Sequence, residues 1–263
     1  VDIDYKLDEP WAILSAIEQS IKQKIESVGT PLKDWDIRIN YGIKTGLNEA
    51  FIISKEKRDE LVKADPKSDE IIRPILRGKD IKRYEYDFQN IYLINTHNGY
   101  VDENGNAVSP INIDDYPAVK EWLDSEEWNK NPKKGNSFKR LSERTDQGVT
   151  PYNLRSLAYM DDFLKRKIVF SRISGTEPKF SLDTENHFTN DTGYIISGEH
   201  LDYLLDMLVS DIIWFAFKTY YMGGGIDKEF KVNNLLNLPV PLPSTDAIKL
   251  TDEEMKFIAE NIE

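Results

Sequence analysis

The sequence predicts an α+β fold that is mixed and strand-rich, with peripheral helices and a long helix in its C-terminal half. Three observations predict it. Apolar residues recur at helical spacing in a few stretches and alternate in several short ones. The stretches follow one another as helix, strands, helix, strands and long helix, without the regular strand–helix alternation of a doubly wound sheet. A chain of 263 residues with ordinary aromatic and charged fractions has the material for a sizeable core.

Residues 10–28 form the first helix. Trp11, Leu14, Ile17, Ile21, Ile25 and Val28 hold the spacing, Pro10 suits a first turn, and Gly29 suits the stop. Trp35, Ile37, Ile39 and Tyr41 alternate, so residues 34–41 read as a strand. GIKTG (42–46) is a turn or loop, residues 50–53 a second strand, and residues 55–62 a short helix. Residues 91–94 form a buried strand, Asn104-Gly105 a hairpin turn, and residues 116–125 a helix with Pro117 near its start. The polar, basic stretch 130–150 reads mostly as a mobile loop, and 167–173, 179–182 and 194–196 as strands.

A long apolar helix spans 199–217, with Leu201, Leu204, Leu205, Leu208, Ile212 and Phe215 as its stripe and Gly223, Gly224 and Gly225 as its stop. LLNLPVPLP (235–243) is not helical throughout, because its three prolines remove donors and fix φ. A last helix opens with a capping box, Thr251 and Glu254, and continues through Met255, Ile258, Ala259 and Ile262. The chain ends as that helix begins, as expected of a piece of a longer protein.

Composition narrows the functional classes. Cysteine is absent, which excludes disulfides and thiolate metal sites. The three histidines (His97, His187, His200) have no ligand spacing. No apolar run approaches the roughly 20 residues that span a bilayer, and the acidic N-terminus lacks a secretory signal. A reducing, cytoplasmic setting is expected, with no membrane partner. Nucleophile-elbow, P-loop and zinc-protease motifs are missing, so this chain reads as no enzyme by itself. Asp114, Asp115, Asp124, Glu126 and Glu127 read as a solvated face, and Asn190-Asp191-Thr192 as a turn or strand end.

The formal net charge is −12, against non-specific coating of nucleic acid. Charges more than about 10 Å apart are screened at 0.1 M salt, so distribution matters more than the sum. RPILRGKDIKRY (73–84) carries Arg73, Arg77, Lys79, Lys82 and Arg83 against Asp80 alone. Lys130, Lys133, Lys134, Lys139, Arg140 and Arg144 form a second cluster, and Lys165, Arg166, Lys167, Arg172 and Lys179 a third. Between these two, TPYNLRS (150–156) offers Tyr152, Asn153 and Arg155, which suit stacking and bidentate contacts to bases. Any one cluster also fits a solubilising surface.

DWDIRINYGIKTGLNEAFIISKEKRDEL (34–61), DPKSDEIIRPILRGKDIKRY (65–84), TPYNLRSLAY, KIVFSRISG and NDTGYII together resemble the TaqI-like C-terminal specificity domain. That domain follows the adenine methyltransferase domain of Eco57I-type and type IIG restriction-modification enzymes. LLNLPVPLPS is similar to the close of target-recognition domains in type I specificity subunits. The resemblance implies recognition of double-stranded DNA, and a neighbouring domain that flips an adenine and methylates N6 with S-adenosylmethionine. Some family members also carry a nuclease. The methyltransferase tetrapeptide is missing, so the chain itself is expected to hold no cofactor and no metal.

The resemblance divides the chain into a specificity domain, 1–243, and the start of an outgoing helix, 244–263. Its implied DNA contacts are Lys44, Thr45 and Asn48 beside GIKTG, and Arg77, Lys79 and Arg83 in LRGKDIKRY, anchored by Ile75, Leu76 and Ile81. Lys139, Arg140, Arg144, Gln147, Tyr152, Asn153 and Arg155 follow, then Arg172 and Ser174. For Arg77, a structural pair with Asp80 stands beside the DNA role. Trp122, Trp128 and Trp214 are expected to pack. The rival expectation is a subunit-docking module whose basic clusters are plain surface.

Overall fold

A computed structural model describes residues 14–129, 140–173, 177–222 and 231–262. Its elements begin with α1 (Ala16–Val28), β1 (Thr30–Pro31), β2 (Ile37–Tyr41), α2 (Asn48–Phe51), β3 (Ile52–Ser54) and α3 (Lys55–Ala64). Then come β4 (Ile72–Leu76), β5 (Ile91–Ile94), β6 (Tyr100–Val101), β7 (Ala107–Val108), α4 (Pro117–Ser125) and β8 (Lys167–Ser171). β9 (Phe180–Asp183), β10 (Phe188–Thr189), β11 (Gly193–Gly198), α5 (Leu201–Val209), α6 (Asp211–Ala216), α7 (Val232–Leu236), β12 (Pro239–Val240) and α8 (Asp252–Asn261) complete the order. This is the α+β class that the element order predicts. No described helix is long and apolar enough to cross a membrane.

The chain divides into two compact units. One comprises Val1–Ile37, Ile173–Pro178 and Asp202–Glu263; the other comprises Arg38–Arg172 and Lys179–Leu201.

In the first unit, Ser15 caps α1 in a reciprocal box with Glu18, and Ile21 and Ile25 are buried. Gly29 ends it in an extended conformation, and a Cβ there would lie 2.7 Å from Cβ of Pro239. β1 and β12 pair antiparallel, so the proline-rich segment does form a short strand. The 199–217 helix is in fact two. Ser210 interrupts it, its Oγ accepting from the Ile213 N–H as the cap of α6. The apolar stripe continues across this break, which is why periodicity alone reads one helix. Gly223–Gly225, Pro10 and Trp11 lie outside the described residues.

α8 has the predicted capping box, and Glu254 also joins α8 to α1. Its carboxylate accepts from Lys24 Nζ at 2.6 Å and from Ser20 Oγ at 2.7 Å. Burial pushes the Glu254 carboxyl up, but the hydrogen bonds from Lys24, Ser20 and Thr251 outweigh it and hold its pKa at about 2. The sign follows: a depressed folded-state pKa gives stability that is present above the ordinary glutamate value and lost as pH falls through about 2. Glu254→Gln should therefore lower stability at pH 7 by about 1 kcal/mol, since Lys24 is partly exposed. The loss should shrink in urea melts below pH 3. An equal loss at pH 7 and at pH 2.5 would refute the ionic contribution.

The second unit has two four-stranded sheets, ordered β10–β4–β5–β3 and β2–β11–β8–β9, and the β6–β7 hairpin. Gly105 turns that hairpin at φ +83°, as Asn104-Gly105 predicts. β10 joins β4 in parallel, and the β4–β5, β3–β5, β11–β8 and β8–β9 pairs are antiparallel. The core includes Phe51, Ile75, Leu76, Ile81, Leu93, Phe163 and Phe188. Phe163 and Phe188 stack at 4.7 Å. Val119 and Leu123 of α4 are buried, and Trp122 Nε1 donates to the Ala50 carbonyl.

Residues 50–53 are not wholly a strand. Residues 48–51 form a helical turn, because the Leu47 N–H bonds Thr45 Oγ1 and the Phe51 N–H bonds the Leu47 carbonyl. The strand expected at 34–41 starts only at Ile37, after a 3₁₀ turn at Leu32–Asp34. Within the 130–150 stretch, residues 130–139 lie outside the described residues, and Leu141–Glu143 is a 3₁₀ turn.

Candidate nucleic-acid interface

All the described candidates lie in the second unit. Its organising element is the turn between β10 and β11, Asn190-Asp191-Thr192-Gly193. Asn190 Oδ1 accepts from the Thr192 N–H at 3.2 Å and from Thr192 Oγ1 at 2.6 Å, which closes the turn on itself. The turn then holds three other segments. Gly42 donates to the Gly193 carbonyl at 3.0 Å and Ile43 to the Thr189 carbonyl at 2.7 Å. Asn190 donates to the Leu76 carbonyl at 3.0 Å, and Gly78 to Thr192 Oγ1 at 2.8 Å. Arg172 donates its N–H to the Thr192 carbonyl at 2.9 Å. GIKTG and LRGKD, 30 residues apart in sequence, thus meet on one turn.

Both meetings require glycine. A Cβ on Gly42 would lie 1.9 Å from the Asn190 carbonyl oxygen, and one on Gly78 would lie 2.1 Å from that of Thr192. Lys44 and Lys79, next to these contacts, are exposed.

A fourth segment joins through Arg144, which is 3% exposed. Its Nη1 donates to the Thr45 carbonyl at 2.8 Å and to the Asp146 carbonyl at 2.6 Å. Nε and Nη2 donate to the Pro151 carbonyl at 3.1 and 3.0 Å, and Nη2 also to that of Asn153. The guanidinium lies 4.6 Å from the Phe51 ring centroid. Burial pulls its pKa down to about 10 against the opposing charge of Asp146, so it remains a cation at neutral pH.

Burial places several of the expected DNA contacts inside the fold. Arg144 spends its donors on backbone carbonyls. Thr45 is 1% exposed, and its hydroxyl bonds Asn48 Oδ1. Asn153 is 1% exposed, and its amide donates to the Ile111 carbonyl at 2.8 Å. The side chains of these three are buried within the loops they join. Arg77 takes the structural alternative: Nε and Nη2 each reach Asp80 at 2.8 Å. Gln147 donates to the Ser142 and Arg144 carbonyls, and the Tyr152 hydroxyl to Asp124 at 2.7 Å. Lys167, counted in the third basic cluster, is fully buried, and Lys165 pairs with Glu103 at 2.5 Å.

Lys44, Asn48, Lys79, Arg83, Arg140 and Arg155 are exposed, and Arg172 is half-buried. Lys44, Lys79 and Arg140 form no ion pair among the described residues. Arg155 has Asp146 3.7 Å away, and Arg83 lies against the Tyr84 ring. Lys139 and Ser174 lie outside the described residues.

Sequence reasoning missed Arg38, whose exposed side chain reaches buried Asp162 at 2.5 Å, with Asn40 on the other carboxylate oxygen. A basic residue alternating with apolar ones along β2 was the available signal. It also reduced Asn190–Thr192 to a turn. That reading holds, but the turn's role in joining separate loops depends on contacts that no local pattern encodes.

A family model described as the TaqI-like C-terminal specificity domain matches residues 73–240. Among solved structures, the chain is similar to the type IIL restriction-modification enzyme MmeI, solved in complex with DNA. The TM-score is 0.51 at 15% identity, over 79% of this chain and 25% of that one. It is also similar to the type IIG restriction endonuclease BpuSI, with a TM-score of 0.47 at 14% identity, over 94% of this chain and 28% of that one. The chain therefore spans roughly a quarter of each of these proteins. No curated protein matches it.

Proposed function

Because this chain belongs to the family of TaqI-like C-terminal specificity domains, we propose that it recognises a DNA sequence on behalf of a larger restriction-modification enzyme. The observation that carries this reading is the 190–193 turn, which gathers the loops bearing exposed Lys44 and Lys79 beside Arg172. Cations on loops tied to one rigid turn suit the fixed spacing of duplex phosphates. Lys44, Lys79, Arg83 and Arg140 set the register on the backbone, and Asn48, Arg155 and Arg172 supply groups that can bond base edges. The finer part of the proposal concerns the parent. Its partner domain is an adenine-N6 methyltransferase that uses S-adenosylmethionine, while this chain contributes recognition and no chemistry.

The test is duplex binding measured by fluorescence anisotropy across a salt series. Binding should weaken steeply with salt, and Lys44→Ala with Lys79→Ala should flatten the log–log slope by about one per phosphate contact removed. Salt-independent binding by the wild-type chain, or an unchanged slope in the double variant, would overturn the assignment.

A further inference from the structure

Arg144 is a cation removed from solvent without a carboxylate among the described residues bonded to its guanidinium. Such a charge is costly to bury unless its donors are satisfied. Here carbonyls satisfy it, from two places far apart in the chain: Thr45 in the GIKTG loop, and Asp146, Pro151 and Asn153 in the loop that leads to Arg155. Gly46 sits at the same junction at φ +68°, where a Cβ would lie 3.2 Å from Asp146. Gln147 braces the Arg144 carbonyl from the other side. The Arg144 fork therefore sets the spacing between two loops, one carrying Lys44 and Asn48, the other Arg155.

We propose that Arg144 is a positioning residue for base discrimination: it touches no DNA, and it locks the GIKTG loop and the 146–153 loop in the one geometry that reads sequence. This rests on the DNA-recognition reading above. The chemistry requires arginine. Five donors in a planar fork match carbonyls converging from several directions, whereas a lysine ammonium offers three donors from one point. Arg144→Lys keeps the charge and the apolar stem but leaves some of these carbonyls unbonded, so the two loops gain freedom relative to each other. Phosphate attraction tolerates that freedom. Bidentate base contacts do not, because they need fixed distances and angles.

The experiment has three readouts. Selection from a randomised duplex library gives the wild-type chain's preferred sequence. Affinity for that duplex and for a scrambled one then gives a discrimination ratio, and the salt series gives the slope. Arg144→Lys should lower the ratio by about tenfold or more, the scale of one lost base contact, and leave the slope on scrambled DNA unchanged. Lys167→Met, which destabilises the same unit elsewhere, is the control: at a temperature where it is folded, its ratio should stay at the wild-type value. Gly46→Ala perturbs the same junction without touching the guanidinium and should also lower the ratio. It decides the matter if Arg144→Lys does not fold.

A folded Arg144→Lys with wild-type discrimination would overturn the proposal, as would folded Gly46→Ala with wild-type discrimination where the lysine variant does not fold. A slope reduced by about one would do so too, because Arg144 would then be a phosphate contact. An equal loss in Lys167→Met would reduce the effect to general destabilisation. A wild-type chain that binds DNA but selects no sequence defeats the recognition reading itself, a result distinct from all of these.

Discussion

Lys167→Met should cost about 3–5 kcal/mol of stability, the scale for removing one partner of a buried ion pair. Lys167 opens β8 with no exposed surface, and its ammonium lies 2.5 Å from Asp183 Oδ2, also fully buried. Nζ further donates to the Phe163 carbonyl at 2.7 Å and to the Lys165 carbonyl at 3.2 Å. The other side of Asp183 is equally engaged. His187 Nδ1 lies 2.9 Å away, the His187 and Glu185 amides donate at 3.0 and 3.2 Å, and the Tyr86 hydroxyl donates at 3.2 Å. Removing the ammonium leaves a buried carboxylate short of its counter-charge and two carbonyls short of a donor. In thermal melts the midpoint should fall by on the order of 10 °C.

Lys167→Met with Asp183→Asn should cost less than the sum of the single changes, because the double variant leaves no lone charge. Strict additivity, or a single-variant loss below about 1 kcal/mol, would mean that the pair contributes no more than an exposed one. The pH dependence has a definite sign. Burial raises the Asp183 carboxyl, but the His187 hydrogen bond and the Lys167 charge bring its pKa down to about 2 from 3.8. Its contribution is complete above the ordinary aspartate value and is lost as pH falls through about 2. Acid unfolding of the wild type should carry this step, and Asp183→Asn should lack it.

This cluster also marks where the sequence stops being legible. α4, α8 and the β6–β7 hairpin follow from signals within a few residues: a first-turn proline, a capping box and an Asn-Gly turn. The apolar spacing announces α1, but the Ser15 cap starts it at Ala16, later than the expected residue 10. Ile75, Leu76 and Ile81 are buried as their apolar character requires. Lys167, Arg144 and Arg77 carry charges that place them on a surface by residue type alone, yet the fold supplies each with partners. Arg77 finds its acidic partner, Asp80, three residues away, and the sequence could offer that alternative. Asp183 lies 16 residues from Lys167, and Thr45 lies 99 from Arg144, so no window of sequence shows those pairs. The candidate patch was therefore legible as an abundance of cations, while the division between gripping and bracing side chains was not.

Gly42→Ala and Gly78→Ala should separate the loops that the 190–193 turn gathers, and their effects should be larger than a helix-to-glycine exchange of similar size. The added methyl at Gly42 meets the Asn190 carbonyl oxygen at 1.9 Å and that of Thr189 at 2.7 Å; at Gly78 it meets the Thr192 carbonyl oxygen at 2.1 Å. These are backbone atoms, and each is held from another side. The Thr189 carbonyl accepts from Ile43, the Thr192 carbonyl from Arg172, and the Asn190 N–H is bonded to Leu76. No rotamer change relieves such a clash, so the hydrogen bonds to the turn must break. Overpacking of this kind costs about 1–3 kcal/mol or more per site, and a broken register removes base contacts from two loops at once.

Affinity for the selected duplex should fall on the order of a hundredfold, equivalent to about 2.7 kcal/mol, while affinity for scrambled DNA in low salt changes far less. Hydrogen exchange locates the opening. The amides of Ile43 and Asn190 should lose protection, and those at the centre of β8 should keep it. Gly105→Ala is the control, since it also has a positive φ but nothing within 4 Å of its new methyl; it should cost stability without changing DNA discrimination. If Gly42→Ala and Gly78→Ala behave like Gly105→Ala in both exchange and binding, the turn does not hold the two loops in register, and the joining role assigned to residues 190–193 falls.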